Sequence, residues 1–265
     1  MVCLELSSEQ QAMVDSVGGA LASRGERTAD AILAELGVDA LLEHGGNLLD
    51  AALVAEAAGR EGVVAYPAGE RILIAAACVG MAQRALDEAS AYARERIVFG
   101  RPIGEYQGIA HTLANAATEV DGTRLLIWRA IAARAEGLAG AARLDAQAFW
   151  WSARACVPAI KAAIRTFGGY GVSEDSPLPG LYRSARALLL AADDPDRALT
   201  APLSAMTPIE PVSMSFTQHA EADVWTARTR HFLTEHFSDA HKQAFATSPD
   251  NHFPELHRKL AAAGL

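Results

Sequence analysis

Ile72-Leu73-Ile74-Ala75-Ala76-Ala77-Cys78-Val79-Gly80-Met81-Ala82 is the longest apolar run of the chain, and it continues without a breaker into the amphipathic stretch Asp87-Glu88-Ala89-Ser90-Ala91-Tyr92-Ala93-Arg94-Glu95-Arg96-Ile97. The run is too short to span a bilayer, which takes about 20 apolar residues. A helix that is apolar on every side belongs at the centre of a helical assembly. The pattern predicts one long helix from Glu70 to about Arg96 whose first half is surrounded by other elements.

Those elements are legible on both sides. Residues 1–24 read as a first helix, with Ser7 and Gln10 at capping-box spacing. Residues 29–36 and 48–60 read as two more, joined by a turn at Leu41-Leu42-Glu43-His44-Gly45-Gly46. Residues 61–69 are a short connection. Beyond the central helix, Phe99-Gly100-Arg101-Pro102-Ile103 breaks the pattern. Ile109, Leu113, Ala117, Val120, Ile127 and Ile131 then mark one face of a helix from Gln107 to about Glu136. A further helix runs from Arg143 to about Thr166, with Pro158 expected to kink it. Gly168-Gly169-Tyr170-Gly171 ends it, and a last helix covers Leu178 to Ala192. The expected fold is all-α: an antiparallel four-helix bundle over 70–192, preceded by a reduced helical region over 1–62.

Composition agrees. The chain has 265 residues, 51% of them hydrophobic and 21% charged, which excludes global disorder. Alanine, the best helix former, makes up about a fifth of it. A formal charge of −9 with no basic block argues against a nucleic-acid partner. The three cysteines, Cys3, Cys78 and Cys156, have neither disulfide-framework nor zinc spacing, and Met1–Gln11 lacks the regions of a secretory signal. Together these point to a reducing cytoplasm. His231, His236 and His241 recur every five residues and do not share a helix face, so no metal site is expected.

Residues 193–213, with Pro195, Pro202, Pro208 and Pro211, read as a linker that opposes regular structure. Residues 214–265 hold six of the eight histidines. Ser215 with Gln218 repeats the spacing of Ser7 with Gln10, and Phe253–Leu265 echoes Ala31–Val38. This stretch reads as the start of a second copy of the N-terminal helical module, cut off in the manner of a fragment.

Two loops carry a resemblance. Arg96-Ile97-Val98-Phe99-Gly100-Arg101-Pro102-Ile103-Gly104-Glu105-Tyr106-Gln107 resembles the R-x-x-F-G-x-P-I-x-x-x-Q pattern of acyl-CoA dehydrogenases. Phe167-Gly168-Gly169-Tyr170-Gly171, followed by Leu181-Tyr182-Arg183-Ser184-Ala185-Arg186, resembles that family's GG-x-G loop and the helix after it. The resemblance is strong over about 70–200 and looser over 1–60. It implies FAD as cofactor and α,β-dehydrogenation of an acyl-CoA thioester as activity. In the family, the first loop of one subunit reaches the FAD held mainly by its neighbour. Arg96 then takes the place of a pyrophosphate partner, suited by its planar donors. By the same resemblance Phe99 and Gly100 pack at the cofactor, Gln107 supplies amide hydrogen bonds, and Gly168 and Gly169 let backbone approach. Arg165 stands where the family often has a Gln that touches the FAD. The residues alone also admit an Arg96 that is simply a solvated charge favoured by a helix C-terminus.

The catalytic base is less plain. Aligning Arg183 and Arg186 with the family puts Ala192 at the commoner Glu position. A smaller subgroup, resembling isovaleryl- and long-chain acyl-CoA dehydrogenases, has the base in E-R-L at the start of the first bundle helix, and this chain has Glu70-Arg71-Ile72 there. Glu70 is the candidate base; it is also an ordinary first-turn residue favoured by the helix dipole. Residues 61–69 leave no room for the family's middle β-domain, which makes most flavin-ring contacts. Tandem fusions and heteromers with one reduced subunit occur in the family, notably for sterol-derived acyl-CoAs. Two functions therefore stay open. One is a catalytic module acting with a second module or subunit in a homo- or hetero-oligomer. The other is a non-catalytic pseudo-subunit that completes a partner's FAD site. A helical scaffold without flavin is a third, weaker reading.

Overall fold

The computed structural model describes residues 2–3, 6–38, 41, 47–66, 70–203, 214–215, 220–247 and 253–264. They divide into two compact units, Met1–Ser215 and Phe216–Leu265.

In the first unit a two-residue strand β1 (Val2–Cys3) precedes α1 (Ser8–Ala22), α2 (Ala29–Glu35) and α3 (Leu48–Arg60). The first helix starts later than the expected residue 1 because Ser7 caps it: the Ser7 hydroxyl accepts the Gln10 N–H at 3.1 Å and the Gln10 amide accepts the Ser7 N–H, also at 3.1 Å. Asn47 and Asp50 make the same reciprocal box before α3. Residues 42–46 of the expected glycine turn lie outside the described residues.

Four long helices follow: α4 (Arg71–Glu95), α5 (Gln107–Ala135), α6 (Ala141–Phe167) and α7 (Leu178–Ala192). Three contacts fix their antiparallel order. Tyr92 near the end of α4 stacks on Phe167 at the end of α6, with ring centroids 4.3 Å apart. Glu70, just before α4, pairs with Arg134 near the end of α5. Arg71 pairs with Asp193, just after α7, at 3.2 Å. The helix α6 continues through Pro158.

The central position expected of α4 is realised, with every residue from Ile72 to Ala82 buried. It makes one large core with α3, α5, α6 and α7. A smaller core holds Val17, Leu21, Ile32, Leu33 and Val54, from α1, α2 and α3. The N-terminal helices are thus packed onto the bundle rather than set apart from it. Glycines allow α3 to lie against α4: a Cβ on Gly80 would stand 2.0 Å from the Glu56 carbonyl oxygen, and one on Gly59 2.3 Å from that of Ala77. Arg124 of α5 ties the same helices together, donating to Glu56 at 2.9 Å and to Gln83 at 3.0 Å.

The expectation of an irregular linker from 193 needs correcting, because Pro195–Leu203 form a helix, α8. Pro195 occupies the first helical position, where no N–H is required. The Asp194 carboxylate accepts the N–H groups of Asp196 and Arg197, an N-cap. Trp150 of α6 donates its indole N–H to Asp196 at 2.6 Å, and Ala198 is buried. Helix packing outweighs the prolines here. Residues 204–213 lie outside the described residues, and β4 (Met214–Ser215) pairs in parallel with β1.

The second unit contains α9 (Ala220–His236), α10 (Asp239–Thr247) and α11 (Pro254–Ala262). Gln218 lies outside the described residues, so its capping box with Ser215 does too. Phe237, His241 and Phe253 form an aromatic cluster, and Arg228 donates to the Ala263 carbonyl at 2.9 Å. The two segments that echo each other in sequence end alike: Gly37 after α2 and Gly264 after α11 both have positive φ, 69° and 65°.

Candidate functional site

One end of the bundle gathers seven of the eight residues singled out from the sequence. Arg96 follows the last turn of α4 with extended backbone, and its carbonyl accepts the Ile103 N–H at 2.8 Å. Between them β2 (Ile97–Val98) and β3 (Arg101–Pro102) form a two-residue hairpin. Its central residues, Phe99 and Gly100, have φ of 51° and 81°. Such a turn suits Gly100 and strains Phe99. Phe99 is nonetheless 94% exposed, so no packing among the described residues explains it. The Tyr106 hydroxyl donates to the Val98 carbonyl at 2.8 Å, and the Arg101 guanidinium lies over the Tyr106 ring, which braces the hairpin. Gln107 opens α5 beside it.

Arg165, Gly168 and Gly169 stand at the neighbouring end of α6. Gly168 has φ 62° and ψ −132°, a region open to glycine alone. A Cβ on Gly171 would meet the Ile164 carbonyl oxygen at 2.3 Å, whereas Gly169 has open space around it. Two glycines of this loop are therefore required by the turn and its packing before any ligand is considered. The side chains of Arg96, Gln107 and Arg165 are exposed and make no hydrogen bond or ion pair among the described residues. Two free guanidinium groups, a free amide and a bare aromatic ring suit an anionic, partly aromatic ligand.

Glu70 is elsewhere. The 25 residues of α4 separate it from Arg96, about 37 Å at 1.5 Å per residue. Its carboxylate is about half exposed (53%) and paired with Arg134, which also meets Asp145 at 3.3 Å. A cavity of about 510 Å³ adjoins Arg134, lined mostly by apolar side chains including Leu48, Leu49 and Ile131.

Asp145 is the titratable group that the sequence reading missed. Burial pushes its carboxyl up to about 6; Arg134 and Arg71 oppose that rise and Glu70 adds to it. One of its oxygens is buried without a partner. Arg134 lies two residues before the 136–140 turn and Asp145 five after it, so the pairing comes from the packing of α5 on α6 and not from sequence spacing. A pH dependence follows. An unfolded Asp titrates near 3.9. Between about pH 4 and 6 the folded chain therefore holds a proton that the unfolded chain has released, and stability falls as pH rises through that window. Asp145→Asn is expected to remove this part of the slope. Thermal unfolding of both proteins from pH 4.5 to 7.5 checks it, since the difference isolates Asp145 from other groups.

Cys78 and Cys156 are fully buried, and burial pushes the Cys78 thiol up to about 12 and the Cys156 thiol upward as well. Neither is a nucleophile at neutral pH. Among the described residues no group of three His, Cys, Asp or Glu side chains could hold a metal ion, and no helix is long and apolar enough to cross a membrane.

Comparison with known proteins now bears on this geometry. The family model for the acyl-CoA dehydrogenase C-terminal domain matches residues 66–192. Residues 66–192 thus form a C-terminal helical domain of the acyl-CoA dehydrogenase type. An acyl-CoA dehydrogenase of Bacillus subtilis (strain 168) is 38% identical over 116 residues, which cover 44% of this chain and 30% of that protein. The glutaryl-CoA dehydrogenase of Desulfococcus multivorans is 38% identical over 115 residues, covering 43% and 30%. Butyryl-CoA dehydrogenase from Megasphaera elsdenii aligns in three dimensions over 58% of this chain and 38% of its own, at 26% identity and a TM-score of 0.48. The chain thus spans about a third of the length of the curated relatives it matches.

At the far end of this domain from the hairpin, the two positions considered for a base come together in space. Glu70-Arg71 and Ala192-Asp193 meet through the Arg71–Asp193 pair. Each acid there, Glu70 and Asp193, is tied to an arginine.

Proposed function

We propose that this chain is an acyl-CoA dehydrogenase module whose hairpin end completes an FAD site held mainly by a second module or subunit, the assembly dehydrogenating an acyl-CoA thioester. The observation that carries this reading is Phe99: strained in its backbone, almost fully exposed, and flanked by unpaired Arg96, Gln107 and Arg165. The residues suit the cofactor: Arg96 and Arg165 would hold phosphate oxygens, Gln107 would bond polar edges, and Phe99 would pack against the ring or adenine face. FAD, when bound, supplies the hydride acceptor. The ten residues 61–70 between α3 and α4 leave the rest of the cofactor to be enclosed by the other module.

A narrower reading gives this chain no base of its own, and the Glu70–Arg134 pair favours it. A base that works on a carbon acid needs a free carboxylate in a dry pocket, whereas the Glu70 carboxylate is half exposed and occupied by a guanidinium. On this reading the chain positions the cofactor and the partner supplies the base.

Phe99→Gly tests the main reading. The substitution relieves left-handed strain and removes a side chain with no internal packing, while the added chain entropy of glycine works the other way. Stability should change by less than about 1 kcal/mol. FAD retained per chain should fall several-fold, read from the flavin absorbance together with the mass in solution on the same sample. Unchanged FAD retention would remove Phe99 from the cofactor surface.

A further inference from the structure

We propose that a cleft between the N-terminal helices and α7 binds a phosphate-bearing anion, held by Arg24, Arg60 and Arg84. The cleft has a volume of about 360 Å³, and these three arginines line it together with Glu61, Gly180 and Ser184. The arginines come from separate elements: the turn after α1, the last residue of α3 and the middle of α4. The fold therefore assembles three guanidinium groups that are far apart in sequence.

Three arginines and Glu61 are the charged residues that line the cleft. Arg60 is paired with Asp87 at 2.6 Å, and Arg84 with Glu88 at 2.8 Å and Glu61 at 3.3 Å. Asp87 and Glu88 do not line the cleft. Arg24 has no acidic partner among the described residues. Its one contact is a 3.5 Å approach to the Glu61 carbonyl oxygen. Arg24 is therefore the guanidinium of the three that can meet an anion without giving up an acidic partner among the described residues.

The opposite wall adds neutral donors. It is the first turn of the 15-residue helix α7. Pro177 and Pro179 have no N–H, and the Leu178 N–H is accepted by the Ser176 hydroxyl at 3.3 Å. The Gly180 N–H has no partner among the described residues, and the Ser184 hydroxyl lines the same cleft. Donors thus come from two walls, more than the two oxygens of a carboxylate satisfy. A phosphate monoester or diphosphate, with three or more oxygens and greater charge, matches the forked geometry of arginine. This site is separate from the hairpin end, and the inference does not rest on the FAD reading.

Calorimetric titration of the chain with inorganic pyrophosphate, and separately with coenzyme A, at low ionic strength tests it. Because Arg24 makes no ion pair among the described residues, Arg24→Gln should fold normally, which thermal unfolding of the same sample verifies. The wild-type chain is expected to bind, with affinity falling as salt rises. Arg24→Gln should weaken binding at least tenfold, and Arg24→Lys should fall between. Tighter binding of coenzyme A than of pyrophosphate, with the same Arg24 dependence, would identify a nucleotide phosphate as the ligand. Equal binding would identify the free anion. Binding of neither probe at millimolar concentration, or binding unchanged in Arg24→Gln, would overturn the proposal.

Discussion

Gly80→Ala is expected to lower the unfolding temperature by roughly 4–8 °C. In an exposed helix the same change gains about 1 kcal/mol. At Gly80 the new methyl would stand 2.0 Å from the Glu56 carbonyl oxygen and 2.9 Å from the Arg60 nitrogen, both backbone atoms. No side-chain rotation relieves that. Helix α3 must move away from α4, which opens the seam lined by Ala51, Ala52 and Ala55, all buried. Overpacking of this kind costs about 1–3 kcal/mol or more. Rigid backbone on both sides puts this site at or beyond the upper end, for a net loss of about 2 kcal/mol. At this chain length 1 kcal/mol corresponds to roughly 2–4 °C. Gly19→Ala, in α1 with open space around it, should shift the midpoint in the opposite direction. Thermal unfolding of the two variants side by side checks the sign of each. A neutral Gly80→Ala would mean that α3 and α4 do not approach as closely as described.

Arg96→Gln is expected to weaken FAD binding roughly ten- to hundredfold while leaving the fold intact. The guanidinium makes no bond within the chain among the described residues, so its loss leaves no orphaned partner behind. Hydrogen bonds to charged groups contribute about 1.5–3 kcal/mol, and each 1.4 kcal/mol is about tenfold in affinity. Glu70→Gln is the matched control. It removes a charge about 37 Å away along α4, several screening lengths in physiological salt, and its effect on FAD affinity should be under about twofold.

The reach of the sequence can be followed residue by residue. The run from Ile72 to Ala82 announced a central helix because only surrounding helices can cover apolar residues on every side. Ser7 and Gln10 marked a true helix start because a capping box is a local, reciprocal bond. What stayed hidden depended on contacts between distant segments. Pro195 signals a break only if nothing packs on the segment that follows, and Trp150 and a buried Ala198 reverse that. Gly59 and Gly80 look like ordinary weak points in helices until α3 and α4 are laid together. At the candidate site, spacing and motif singled out the hairpin residues, but not that Phe99 stands exposed in strained backbone. Glu70 was legible as a residue and not as a partner of Arg134, since the two are joined only by the bundle. Asp145 was missed for the same reason.

The most direct test of the central claim, that the hairpin end is the cofactor-contacting end, is a fluorescence titration of FAD. It would use the wild-type chain and its Arg96→Gln and Glu70→Gln variants, each with its mass in solution measured. The account predicts saturable binding that Arg96→Gln weakens roughly ten- to hundredfold. It predicts that Glu70→Gln leaves that binding unchanged. An absence of FAD binding in every assembly state, or binding that ignores Arg96, would contradict it.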